Sequence, residues 1–151
     1  MRLSRPVQAT FALLTFISIG GCGGGYGDTG GPTDPGGSNR SIKADPSFEN
    51  DVFEIFQRRG CTQSSCHGGG AGGLTMGSVS GAYGNLVNKA AVGKSGEVRV
   101  IPGDAAASYL VKKLEGANGI VGVQMPATGD PLDNIDLTNI RNWIDNGAAN
   151  N

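Results

Sequence analysis

Histidine is nearly absent from this chain: one occurs in 151 residues, and cysteine occurs three times. A single imidazole excludes chemistry that needs a pair of them. Three cysteines are too few for the two to four bridges that staple a small secreted scaffold. One histidine and so few thiols also fall short of the four ligands that a structural zinc site takes. Aromatic residues are sparse, at five Phe, three Tyr and one Trp. No apolar run reaches the ~20 residues of a spanning helix. Charge of one sign is missing too: twelve basic side chains stand against thirteen acidic ones, a formal balance of −1. Nothing in that balance predicts nucleic-acid binding. No stretch alternates apolar and polar residues as a half-buried strand does.

What the chain has in excess is glycine, 27 residues, well above the ~7% of average proteins. The N-terminus carries an address. Arg2 and Arg5 precede an apolar stretch, Phe11 to Ile19, and small residues follow. A charged start, a short apolar run and small residues make a secretory signal peptide over 1–21. Ile19-Gly20-Gly21-Cys22 also resembles the bacterial lipobox. That resemblance implies diacylation of Cys22 and a lipid anchor outside the cytoplasm. The plainer alternative is an ordinary signal peptide with Cys22 as a stray thiol. Lipidation removes a thiol that an oxidising compartment would attack. Losing Arg2 and Arg5 with the leader leaves ten basic against thirteen acidic side chains, about −3.

Residues 22–43 contain almost nothing apolar to bury and read as a flexible Gly-rich tether. A coil of about 20 residues has an r.m.s. span of about 25 Å. That is enough to lift a small domain off a lipid surface.

Residues 44–151 form the compact domain. Ser47 is placed to cap a helix that runs to about Arg59, with Phe48, Val52, Ile55 and Phe56 on one face and Phe53 beside them. The run Gly68 to Gly73 cannot be a stable helix, but it permits close backbone approach, as to a flat cofactor. Ser78 is placed to cap a helix through Leu86 and Val87. Asp104 is placed to cap one from Ala105 to about Leu114, with Tyr109, Leu110 and Leu114 inward. The last helix carries Leu137, Ile140 and Ile144, with Trp143 beside them, and stops at Asn146 or Gly147. The expected fold is all-α, about four short helices joined by long glycine-rich loops.

The chemistry concentrates in Cys61-Thr62-Gln63-Ser64-Ser65-Cys66-His67. Cysteine fused to histidine, with a second cysteine shortly before, reads as a c-type haem attachment site. Two thiols would bond the vinyl groups and the imidazole would bind iron. The usual spacing is C-x-x-C-H, and here it is C-x4-C-H. The competing reading is a Cys61–Cys66 disulfide with His67 incidental, which export would allow. For a second axial ligand only Met76 and Met125 remain after processing. Met76 is close in sequence to His67 and suits apolar packing, whereas Met125, followed by Pro126 on a loop, suits the iron. His/Met ligation raises the potential and fills both axial sites, which favours electron transfer. The carbonyl of Pro102 is the expected acceptor for the other imidazole N–H. Arg99, Tyr109 and Trp143 are candidates to bond a haem propionate.

The ordered set Phe53-x-x-Phe56, Cys61-x4-Cys66-His67-Gly68-Gly69, Tyr83-x-x-Leu86-Val87, Arg99 to Asp104, Ser108 to Leu114, Met125-Pro126 and Ile140-Arg141-x-Trp143-Ile144 resembles a family of bacterial c-type cytochrome domains. The likeness covers about residues 50 to 149. It departs at Gln124, where the family pattern has a basic residue. The resemblance implies a cytochrome c-like fold around one covalent haem c, with Cys61 and Cys66 as anchors, His67 as proximal ligand and Met125 as distal ligand. The expected function is that of a membrane-tethered electron carrier, not an enzyme. It would pass single electrons between redox partner proteins at the cell envelope, on the periplasmic or outer face of a bacterial membrane. The alternative is a haem-free, disulfide-closed binding lipoprotein.

Overall fold

A computed structural model describes residues 40–151, so the expected signal peptide, Cys22 and the expected tether up to residue 39 lie outside the described residues. A π-helical turn, Phe48–Val52, runs directly into α1, Phe53–Arg58. Three further α-helices follow: α2, Val79–Leu86, α3, Tyr109–Glu115, and α4, Asn134–Asp145. Among the described residues there is no strand. Isolated bridges join Val87 to Val100, Ala90 to Val98 and Ile101 to Asp104. The all-α expectation holds, and no described helix is long and apolar enough to cross a membrane.

The first helical segment starts where Ser47 stands, and the reason is a reciprocal cap. The Asn50 N–H donates to Ser47 Oγ at 3.2 Å, and the Ser47 N–H donates to the Asp51 carboxylate at 2.8 Å. Two otherwise orphaned donors are thereby satisfied. Ser78 caps α2 in the same manner through the Gly81 N–H, at 3.1 Å. Asp104 behaves differently. Its carboxylate accepts from the Ala107 N–H at 2.8 Å, but the turn it caps does not continue, and α3 begins only at Tyr109. Ser108 explains the interruption: its hydroxyl donates to the Asp104 carbonyl and accepts from the Ile101 N–H, so it serves the loop and not the helix.

The core is centred on the π-helical turn, against which α1, α2 and α4 all pack. Phe48 lies 5.0 Å from the Trp143 ring and 5.3 Å, edge-on, from Tyr83. Such aromatic pairs contribute about 0.5–1.5 kcal/mol beyond the area they bury. The polar ends are satisfied by the C-terminal segment: Trp143 Nε1 donates to the Ala149 carbonyl at 2.8 Å and the Tyr83 hydroxyl to the Ala148 carbonyl at 2.9 Å. Val111, not Leu110, is the third buried side chain of α3 beside Tyr109 and Leu114.

Residues 40–43 belong to this body. On α4, Asn139, Asn142 and Asn146 recur at i, i+3 and i+7, which places them along one face. Asn139 accepts from the Lys43 N–H at 2.8 Å and donates to the Ser41 carbonyl at 3.0 Å. Asn142 and Asn146 donate to the Lys43 and Ala44 carbonyls. Arg40 pairs with Asp136 at 2.7 Å and with Asp133, the N-cap of α4, at 2.9 Å. The segment is therefore held as an extended strap, its backbone groups satisfied by side chains in place of a ladder.

Candidate functional site

The Cys61–His67 loop begins where α1 ends. Gly60 takes a positive φ of 73°, and the Cys61 N–H returns to the Phe56 carbonyl at 2.8 Å. The loop then folds on itself. The Cys66 and Gly68 N–H groups both donate to the Gln63 carbonyl at 2.9 Å, and the His67 N–H donates to the Cys61 carbonyl at 3.0 Å. That last bond brings the histidine back to the first cysteine, so both ends of the seven-residue loop meet at one place.

Gly68 and Gly69 are what allow it. A Cβ on Gly68 would lie 2.1 Å from the Thr62 carbonyl oxygen, and one on Gly69 would lie 2.0 Å from that of Ser64. The sequence reading gave these glycines to a cofactor, whereas the close approach here is to the loop's own backbone. Any side chain at either position would force the loop's backbone to shift.

Both thiols are half-buried and unbonded to each other. Burial pushes the Cys61 thiol up, and the nearby Cys66 adds to this, against a smaller opposite pull from Arg59. Cys61 is thus held as a protonated thiol packed against the core. His67 is also half-buried, and its Nδ1 lies 2.9 Å from the Ala71 carbonyl. The expected acceptor was Pro102, and that expectation is corrected. Gly70, at φ 86°, and the 3₁₀ turn Ala71–Gly73 carry the chain back over the ring, so a carbonyl four residues on reaches it first. An Nδ1–H tautomer donates to that carbonyl and leaves the Nε2 lone pair uncommitted, the state in which imidazole serves as an iron ligand.

Met76 is 2% exposed and sits inside the core, while Met125 is half-buried at its edge. The Met125 N–H donates to the Lys113 carbonyl at 2.8 Å, and its bond to Pro126 is cis. The loop before it is pinned to α3. Gln124 donates to the Leu114 carbonyl at 2.7 Å, Lys113 Nζ donates to the carbonyls of Val121 and Val123, and the Val121 N–H donates to the Tyr109 hydroxyl. Gln124 is therefore occupied in closing the end of α3.

The three propionate candidates fare differently. Trp143 is buried in the aromatic hub and its one N–H is spent on Ala149, so it is not available as a donor. The Tyr109 oxygen accepts from Val121. Arg99 donates to the Asn85 and Gly73 carbonyls, both at 2.7 Å, and burial lowers its pKa. Sequence reasoning passed over Arg59. Its guanidinium donates to the Asp130 and Pro131 carbonyls at 2.6 and 2.8 Å, and its Nε is buried without a partner. A lone arginine next to a cysteine carries no sequence signal that marks it out.

Among the described residues no three His, Cys, Asp or Glu side chains come together, so these groups do not form a closed metal cage. The donor set fits a covalently attached haem instead: two free thiols on one loop, an adjacent imidazole with a fixed ring, and a thioether on a separate loop. Half-buried apolar groups that edge the core, including Cys61, Leu74, Leu110, Met125 and Leu132, supply apolar surface for such a group. Two clefts lie elsewhere. One, of about 370 Å³, is lined by Tyr109, Lys112 and Arg141. The other, of about 190 Å³, lies beside Arg40 and Asp136. Neither contains the thiols, His67 or Met125.

No family model, curated protein or solved structure matches the chain.

Proposed function

We propose that this chain is a monohaem c-type cytochrome of the cell envelope, with a cytochrome c-like fold and a lipid anchor at Cys22, that carries single electrons between redox partner proteins. The observation that carries this reading is the loop itself. Its two ends are drawn together by the His67–Cys61 backbone bond, both thiols are free, and the imidazole is oriented by the Ala71 carbonyl. Cys61 and Cys66 are the anchors, His67 the proximal ligand and Met125 the distal one.

Bound haem c supplies reversible one-electron chemistry at iron. The protein's own part is positional. Cys61 and Cys66 would hold the group through thioether bonds. The Ala71 carbonyl holds the His67 ring and raises its basicity. A thioether ligand from Met125 favours the reduced iron and raises the potential. His67 and Met125 would both hold the iron, an arrangement that would suit electron transfer over oxygen chemistry.

The test is the full chain exported in a host with a c-haem maturation system. A reduced-minus-oxidised spectrum with sharp c-type bands, and a denatured mass that retains one haem, is the expected result. A haem-free mass two hydrogens light would mark a Cys61–Cys66 disulfide and support a binding lipoprotein instead.

A further inference from the structure

Arg59 joins two parts of the molecule that the haem reading requires to act together. It lies two residues before Cys61, at the end of α1. Its guanidinium reaches across 71 and 72 residues of sequence to the carbonyls of Asp130 and Pro131, at 2.6 and 2.8 Å. Those carbonyls belong to the loop that leaves Met125 towards α4. On its other side Met125 is fixed directly, by its own N–H on the Lys113 carbonyl. The methionine is thus suspended between two attachments, α3 before it and Arg59 five to six residues after it.

Nothing else among the described hydrogen bonds ties residues 126–131 to the rest of the body. Segments with few backbone bonds open most readily, and the two bonds that do hold this one come from a single charged group. Hydrogen bonds from a charged donor are about twice as strong as neutral ones. Both bonds leave one planar terminal nitrogen, Nη2, whose two N–H groups serve the two adjacent carbonyls.

We infer that Arg59 is the positioning residue for the distal ligand: it staples the Met125 loop to the attachment loop and keeps the thioether on the iron. The inference rests on the haem reading, but it concerns a residue that neither binds iron nor attaches haem. An outside ligand such as imidazole must displace Met125 to reach ferric iron. Its apparent affinity therefore reports how often the methionine is away.

The experiment compares wild-type holoprotein with Arg59→Gln and Arg59→Lys by imidazole titration, followed through the sulfur-to-iron charge-transfer absorption. Arg59→Gln loses both charge-assisted bonds and is expected to bind imidazole roughly tenfold more tightly. Arg59→Lys keeps the charge and one donor group and is expected within roughly threefold of wild type. The helical signal on unfolding should shift far less than the imidazole affinity, which a merely structural role would not produce. An Arg59→Gln affinity within twofold of wild type overturns the staple and leaves the cytochrome reading standing. A wild-type chain with no haem overturns both. If Arg59→Gln does not mature, limited proteolysis of the haem-free full chain decides: faster cleavage within 126–131 than in wild type supports the staple, and an unchanged rate there overturns it.

Discussion

Phe48, Tyr83 and Trp143 meet at a closed centre, whereas Cys61, His67 and Met125 stand at the half-buried edge of the same core. In the centre, Phe48 and Trp143 are 0% and 1% exposed, and every polar tip has a backbone partner. At the edge, apolar atoms remain partly open and the backbone is held mainly by its own short-range turns. The centre is complete with protein atoms alone. The edge has two free thiols, an imidazole with one nitrogen to spare and apolar surface, which is what a prosthetic group would cover. The difference teaches that fold stability and the proposed haem attachment draw on separate sets of residues, so they should fail separately.

The sharpest way to break that separation is at the centre. Trp143→Ala should cost about 3–5 kcal/mol, a large share of the 5–15 kcal/mol that holds a typical domain. Guanidinium unfolding of the haem-free body should then lose its cooperative transition, and no haem should be incorporated. A cooperative melt within about 1 kcal/mol of wild type would contradict the role of the hub.

Next in size is Gly69→Ala. Its Cβ would sit 2.0 Å from the Ser64 carbonyl oxygen, and such overpacking costs about 1–3 kcal/mol. Most of that strain falls on the thiol loop, so the fraction of chains carrying haem by intact mass should fall more steeply than the melting temperature does.

Acid should weaken the body around the strap. Burial raises the Asp133 carboxyl, but the Asp136 N–H and Arg40 more than offset this, and it ends below its ordinary value. Asp51 is likewise raised by burial and lowered further by Lys43 and the Ser47 N–H. A carboxylate whose folded pKa is depressed contributes stability that is fully present above its unfolded value of ~3.9, and loses it as pH falls through the folded value. The melting temperature should therefore drop below about pH 4. Asp133→Asn should flatten that dependence slightly, because the carboxylate is 42% exposed and its ion pair is screened.

The smallest effect sharpens the comparison from the other side. The Cys66 sulfur lies 3.9 Å from the Ser65 hydroxyl, and Cys66 is not among the residues of the core or those packed against it. Cys66→Ser should shift the haem-free melt by less than about 0.5 kcal/mol while abolishing attachment at two points. A large loss of stability would show that the edge also carries the fold.

Much of this arrangement is legible residue by residue. Phe48, Val52, Phe53, Ile55 and Phe56 repeat at helical spacing and are all buried. Ser47 and Ser78 stand at helix starts because short side-chain oxygens satisfy local N–H groups, a relation that spans three residues. Other features had no such local signature. Asp136 is buried by Arg40 and Arg58, each at 2.7 Å and each far away in sequence. The asparagines of α4 read as an ordinary polar face until residues 41–44 lie along them. Arg59 looks like any basic residue at a helix end.

The sequence by itself determined the helical class, the caps, the apolar stripes and the thiols beside the imidazole, because each depends on chemistry within a few residues of chain. Tertiary structure alone decided which carbonyl holds His67, why Gly68 and Gly69 must lack side chains, and how Arg59 reaches the loop after Met125. Those are contacts made when glycine turns and long loops fold back, and the energy of a close approach is not written in the order of the residues that make it.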